Sequence, residues 1–151
     1  MPKYVVDTNL YIRATRSDVA SRELETFVVT FAPEIYLHSV VALELLAGAL
    51  AHGLEQRTDE RFVRPFERRD RVITPSHRAW KRAATTVVAL VRAKRLSPNG
   101  IKPSFVHDCL IAASAREHGF VLVTDNISDF ELIRSVLPVD VVPPWPEPAA
   151  R

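Results

Sequence analysis

The chain has 151 residues, of which 47% are hydrophobic and 25% charged, a balance that excludes a disordered or fibrous protein and predicts a packed globular core. No apolar stretch reaches the roughly 18 residues of a membrane span, and Asp7 follows the first residue too closely for a secretory signal, so the expected location is cytoplasmic, with no membrane association. The single cysteine, Cys109, excludes an internal disulfide and a Cys-x-x-Cys zinc site, and is expected as a small core residue.

Net charge is only +2, but it is unevenly spread. Arg57 to Lys102 carries thirteen Lys or Arg against four acids, and the remainder carries seven bases against fourteen acids. A basic middle framed by acidic ends suits a polyanion held beside a carboxylate site. Two solvated amphipathic helices would give the same charge pattern.

In chain order, residues 3 to 6 read as a short buried strand and Thr8 to Thr15 as a helix behind an Asp or Thr cap. Ser17 to Phe31 has apolar residues at helical spacing and stops before Pro33. "EIYLH" is the second strand, followed by Ser39 as cap of the helix "VVALELLAGALAHG", with Gly53 as its stop. Residues 55 to 69 predict one basic helix, "VIT" a short strand, and Pro75-Ser76 the opening of a long helix to about Arg95. "LSPNGIKP" carries the densest turn signals and reads as a loop. A helix from Ser104 to His118 with Gly119 as its stop, the strand "FVLVT", a short helix from about Ser128 and a strand near "VDVV" complete the pattern. Strands alternating with helices predict an α/β fold with a mostly parallel sheet covered on both faces. The expected organisation is a single domain over residues 1–142 and a Pro-rich tail, mobile or draped, over 143–151.

In such a sheet, ligands gather beyond the carboxyl ends of the strands. Asp7 closes "YVVDTN" and Asp125 closes "FVLVT", so two acids are expected at one crevice. Glu44 has Val40, Val41, Ala47 and Gly48 as its helical neighbours, which predicts a carboxylate on a buried face. Asp108 repeats the pattern beside Phe105, Ile111 and Ala112. Each acid also has a local explanation. Asp7 can cap a helix, Asp108 can meet the helix dipole in a first turn, Asp129 lies in the Ser128/Glu131 capping-box pattern, and Asp125 can be a turn residue. Glu44, in mid-helix, has no such role.

Converging carboxylates repel one another unless a cation neutralises them, and all-oxygen ligands select Mg²⁺ or Mn²⁺ over zinc. A hard ion of that kind suits phosphoryl chemistry with an activated water. None of the five histidines forms a catalytic pair in this reading: His107 is expected to point about 100° away from Asp108, and His38, His52, His77 and His118 are expected at surfaces or element ends. No Gly-rich phosphate loop and no G-x-S-x-G elbow is present.

With these residues in place, the chain resembles PIN-domain proteins and, more narrowly, the VapC-family toxins of bacterial toxin–antitoxin pairs. The resemblance rests on "VVDTNLYI" (5–12), "SVVALELLAGA" (39–49) and "HDCLIAASAREHGFVLVTDNISDF" (107–130), in that order. It implies a PIN-like three-layer α/β/α fold and a metal-dependent endoribonuclease that uses Mg²⁺ (or Mn²⁺) to cleave RNA phosphodiesters. Asp7, Glu44 and Asp108 match the first three acids of the family, as catalytic residues and metal ligands. For the fourth, Asp129 matches the pattern T-x-N-x-x-D-F, while Asp125 has the strand-end position, and both are kept. Thr8, Asn9, Thr124 and Asn126 would orient ligands or water. Arg57, Arg61, Arg64, Arg68 and Arg69 in the basic segment are expected to contact RNA phosphates. The resemblance also implies a homodimer and a cognate VapB-like antitoxin that blocks the acidic cleft. The competing reading is a catalytically silent PIN-like scaffold acting through protein binding. A haloacid-dehalogenase-like phosphatase would need a second aspartate at position 9, which is Asn, and a phosphate receiver would need an acidic pair where Asp7 stands alone.

Overall fold

The computed structural model describes residues 1–148. Tyr4, Val5 and Val6 are buried on both faces of β1 (Lys3–Val6), as a central strand of a parallel sheet must be. β1 lies between β2 (Ile35–His38) and β4 (Phe120–Val123), with β3 (Val72–Ile73) and β5 (Asp140–Val142) at the edges. The order is β3-β2-β1-β4-β5 and every pairing is parallel; Tyr4 faces Ile35, Val6 faces Val123, His38 faces Ile73 and Val123 faces Val142. The chain winds outward from β1 to β3 and returns to the other side for β4. That reversal places the topological switch point between β1 and β4.

Helices cover the sheet to give three α/β/α layers. α1 (Thr8–Arg16) packs on α2 (Asp18–Phe31), and α6 (His77–Arg92) packs on α7 (Pro103–His118). α7 runs through the interior: every residue from Asp108 to Ala115 is buried. Gly119, at φ +69°, ends α7 in the left-handed conformation and turns the chain directly into β4. α3 (Ser39–Leu50) and α8 (Ile127–Arg134) complete the layers.

Four local expectations change. His38, not Ser39, caps α3, its Nδ1 accepting from the Val40 N–H, and the imidazole is fully buried rather than at the surface. α3 stops at Leu50, before Gly53. Residues 55 to 69 are not one α-helix: α4 (Glu55–Thr58) passes into a π turn (Asp59–Val63) and then α5 (Arg64–Glu67). Pro65 has no N–H and its ring excludes the carbonyl four residues earlier, and just ahead of it the Arg64 N–H reaches back five residues to Asp59. The tail is draped as far as it is described. Trp145 lies against Phe27 of α2, ring centroids 5.1 Å apart, and donates its indole N–H to Glu23 at 3.3 Å. Residues 149–151 lie outside the described residues. Among the described residues, no helix is long and apolar enough to cross a membrane.

Candidate active site

The carboxyl ends of β1 and β4 are tied together by backbone. The Asp7 N–H donates to Val123 O at 2.9 Å, while the Thr124 N–H anchors the end of β4 to β5 through Val142 O at 3.1 Å. This fixes Asp7 and Thr124 side by side at the switch point. Asp7 is buried and does two things at once: Oδ1 caps α1 by accepting from the Thr8 N–H at 2.8 Å, and Oδ2 accepts from Thr124 Oγ1 at 2.7 Å. Asp7 is thus both the cap of α1 and a buried carboxylate at the end of the central strand.

Glu44 reaches the same place from α3. Its Oε1 accepts from Thr8 Oγ1 at 2.9 Å, so one threonine joins the second acid to the start of α1. Its helix face is not the buried one expected, because Ala47 and Gly48 are exposed; Glu44 stands half-buried at the edge of the crevice. His107 sits 3.6 Å from Glu44 Oε2, a neighbour on another helix that sequence spacing did not indicate.

Asp108 is buried on α7. The helix begins at Pro103, so Asp108 lies beyond its first turn and the dipole explanation does not apply. The Asn126 amide bridges the rest, donating to Asp108 Oδ2 at 3.3 Å and to Asp129 Oδ2 at 3.1 Å, while its backbone N–H donates to Thr124 Oγ1 at 3.0 Å. Asn126 is also the residue ahead of α8, yet it gives no side-chain cap, and the Ser128/Glu131 capping box does not form. The amide serves the acids instead of the helix.

The structure therefore joins Asp7, Glu44, Asp108 and Asp129 through Thr8, Thr124 and Asn126. Asp125 is placed differently: Oδ2 pairs with Arg13 of α1, and Oδ1 is buried without a hydrogen-bond partner. Asn9 is exposed. Of the basic-segment arginines, Arg61 donates to Ser21, Arg64 to Asp59 and Arg69 to the Pro65 carbonyl. Arg13 carried no distinguishing signal in the sequence, since its partner Asp125 is adjacent only through the β1–β4 pairing.

Burial dominates the electrostatics. It raises the Asp7 pKa, against the lowering effect of the Thr124 and Thr8 hydrogen bonds, with Glu44 and Asp125 adding further repulsion. Burial, then Asp7, Glu44 and Asp129, pushes Asp108 up from 3.8 to about 8. Without a cation this carboxyl holds a proton at neutral pH. A cluster of coupled carboxylates with only oxygen donors fits a hard divalent ion. Among the described residues, no three acidic, His or Cys side chains stand ready-grouped around one point; the acids meet through the hydroxyl and amide bridges. A cavity of about 710 Å³ lies elsewhere, between α2 and the π turn and α5, and is lined mainly by apolar groups such as Val28, Phe62 and Phe66 with Arg61, Arg69 and Arg71. It contains none of the clustered acids and has no part in their chemistry.

No curated protein sequence matches the chain. Among solved structures it is similar to DNA-bound VapBC from Salmonella typhimurium, with 22% identity over 95% of this chain and 98% of that one and a TM-score of 0.72. It is similar to a toxin–antitoxin complex from Klebsiella pneumoniae, with 25% identity over 96% and 100% of the chains and a TM-score of 0.64. A likeness to FitAcB from Neisseria gonorrhoeae has 19% identity, covers 94% and 98% of the chains and has a TM-score of 0.68. The family model of the PIN domain matches residues 4–134, nearly the full length of the fold described above, and the chain belongs to the PIN-domain family.

Proposed function

We propose that this PIN domain is a metal-dependent endoribonuclease and the toxin of a toxin–antitoxin pair. The observation that carries the reading is the convergence of Asp7, Glu44, Asp108 and Asp129 at the switch point, where Asp108 stays protonated unless a cation joins it. Asp7, Glu44, Asp108 and Asp129 would hold Mg²⁺ or Mn²⁺. The ion, when bound, supplies charge neutralisation at a phosphodiester and acidifies water. The chain's own groups do the rest. Thr124 and Thr8 fix the carboxylate oxygens of Asp7 and Glu44, Asn126 holds Asp108 and Asp129 in one orientation, and the buried position of Asp7 and Asp108 limits water access.

RNA is the proposed substrate, with Arg57 and Arg68 of the exposed basic segment contacting phosphates and Arg61, Arg64 and Arg69 available on exchange of their internal bonds. A VapB-like antitoxin is the proposed partner, supported by the likeness to toxin–antitoxin complexes. Exposed Leu43, Leu50 and Leu54 on and after α3 support a homodimer, and the cytoplasm is the proposed location. The unit proposed to act is the domain over residues 1–142, with the Pro-rich tail attached.

The test is cleavage of total bacterial RNA by the purified chain with Mg²⁺ or Mn²⁺, against EDTA and an Asp7→Asn variant. Asn caps a helix as well as Asp does, so the variant keeps the fold and removes the charge. Cleavage lost in both controls is expected. Cleavage by Asp7→Asn equal to that of the parent, or cleavage in EDTA, overturns the reading.

A further inference from the structure

A second, smaller cavity lies against the acidic crevice. It measures about 330 Å³, and its walls include Arg13 of α1, Glu23 of α2, Asp125 and Trp145. Asp125 is the shared wall. It stands between Thr124, which bonds Asp7, and Asn126, which bonds Asp108 and Asp129, and its charge acts on Asp7. Whatever fills the cavity is therefore near the residues proposed to hold the ion.

The walls have a defined chemistry. Arg13 spends part of its five-donor fork on Asp125, yet its side chain is 59% exposed, so further N–H groups face outward. Asp125 Oδ1 is buried without a partner and Oδ2 holds Arg13, so Asp125 orients the guanidinium. Glu23 accepts one bond, from the Trp145 indole. Trp145 is braced by Phe27 with an interplanar angle of 34°, so the indole is a held platform rather than a loose side chain. An aromatic plate, an outward guanidinium and carboxylate acceptors are the elements by which proteins bind unpaired bases. The volume is at the low end of the roughly 300–1,000 Å³ usual for ligand sites, which suits one planar heterocycle. Guanine matches both kinds of polar wall, with O6 and N7 for a guanidinium and N1–H and N2–H₂ for a carboxylate.

We propose that this cavity is a base-binding subsite that takes one unpaired guanine next to the phosphodiester in the crevice; the inference rests on the nuclease reading above. Arg13 and Trp145 then set where RNA is cut, and Asp125 belongs to base recognition while Asp129 completes the ion-binding acids.

The test uses the full chain carrying Trp80→Phe, which leaves Trp145 as the one tryptophan, and Asp7→Asn to prevent cleavage. It is titrated with the pentaribonucleotides UUGUU and UUUUU while the indole fluorescence is followed. Expected are quenching and, from the anisotropy of 5′-fluorescein-labelled oligomers, which needs no tryptophan, roughly tenfold or tighter binding of UUGUU, loss of that preference in Trp145→Ala, and its retention in Trp145→Phe. Arg13→Ala, which leaves the Trp145–Phe27 packing untouched, is expected to reduce the preference for guanine over adenine in UUAUU. Equal quenching and affinity for all three oligomers, or an unchanged preference in both Trp145→Ala and Arg13→Ala, overturns the proposal. Cleavage by the parent chain separates the two readings. Metal-dependent cutting with no guanine preference leaves the nuclease and removes the subsite, whereas guanine-selective binding by a chain that cuts no RNA leaves the subsite and removes the nuclease.

Discussion

Asp108→Asn is expected to make the metal-free protein more stable. The carboxyl is buried and its pKa is pushed from 3.8 to about 8, so at pH 7 the folded chain must retain a proton that the unfolded chain releases. The interval between 3.8 and pH 7, at roughly 1.4 kcal/mol per pH unit, caps the penalty at about 4 kcal/mol. Relaxation of the crevice reduces that figure, and a gain of roughly 1–4 kcal/mol corresponds to about 3–15 °C in Tm for a chain of this size. Asparagine removes the penalty and keeps a polar group beside Asp129 and Asn126, both of which can accept from its amide. The sign with pH follows from the raised value. Between 3.8 and about 8 the folded form binds more protons, so this residue's contribution is greatest at low pH and is lost as pH rises through 8. Thermal unfolding in EDTA from pH 5 to 8.5 measures both effects: the parent should lose stability with rising pH relative to Asp108→Asn, and the variant should melt higher at pH 7. A variant that melts at or below the parent at pH 7 in EDTA, with the same pH slope, refutes the account of the crevice as a strained cluster of acids.

Other outcomes follow from the same geometry. His38, fully buried, has its pKa lowered from 6.5 to about 4 by burial and then by His118, so its contribution is present above 6.5 and is lost as pH falls through 4; unfolding between pH 4 and 6.5 should weaken by up to about 3 kcal/mol, and His38→Asn, which keeps the cap, should flatten that slope. Gly119→Ala should cost about 1 kcal/mol in denaturant unfolding, because φ is +69° while nothing lies within 4 Å of the added carbon; a neutral result would show that the turn relaxes freely. Asn126→Asp places a further charge against Asp108 and Asp129 and should lower both the metal-free Tm and RNA cleavage, whereas an unaltered cleavage rate would remove Asn126 from its bridging role. Ser76→Ala loses the cap of α6 and the bonds to Glu117, and should destabilise by about 1 kcal/mol without changing cleavage.

The strand and helix order was legible in the sequence because β1 and β4 are short apolar runs ended by polar residues and the helices carry clear stops. Three of the acids were legible for a related reason: Asp7 ends a strand, and Glu44 and Asp108 stand on largely apolar helices where an isolated charge is costly. What failed were inferences from local rules. Ser39 has the composition of a cap, but the sheet register places His38 there. Ser128 and Glu131 have the pattern of a capping box, but Asn126 turns to the acids instead. The approach of Glu44 to His107 was not legible, because it is made between two helices. The choice between Asp125 and Asp129 was open in the sequence because both follow β4 closely. Three dimensions separate them through their partners, the distant Arg13 for one and, for the other, Asn126, which also holds Asp108 of α7.

The pairing of β1 with β4, Lys3 opposite Phe120, has a consequence for synthesis. The first strand made is the centre of the sheet, and one of its two neighbours is made only after α7 has been completed. A nascent chain thus carries "YVV" with one edge open through most of translation, and a pairing between strands so distant in the chain closes slowly. Asp7 meets Thr124, and through it the loop that carries Asn126 and Asp129, only when that edge closes. The acidic crevice is accordingly among the last parts of the molecule to exist, and a chain truncated before β4 has three of the four acids but neither Thr124 nor Asn126 to hold them.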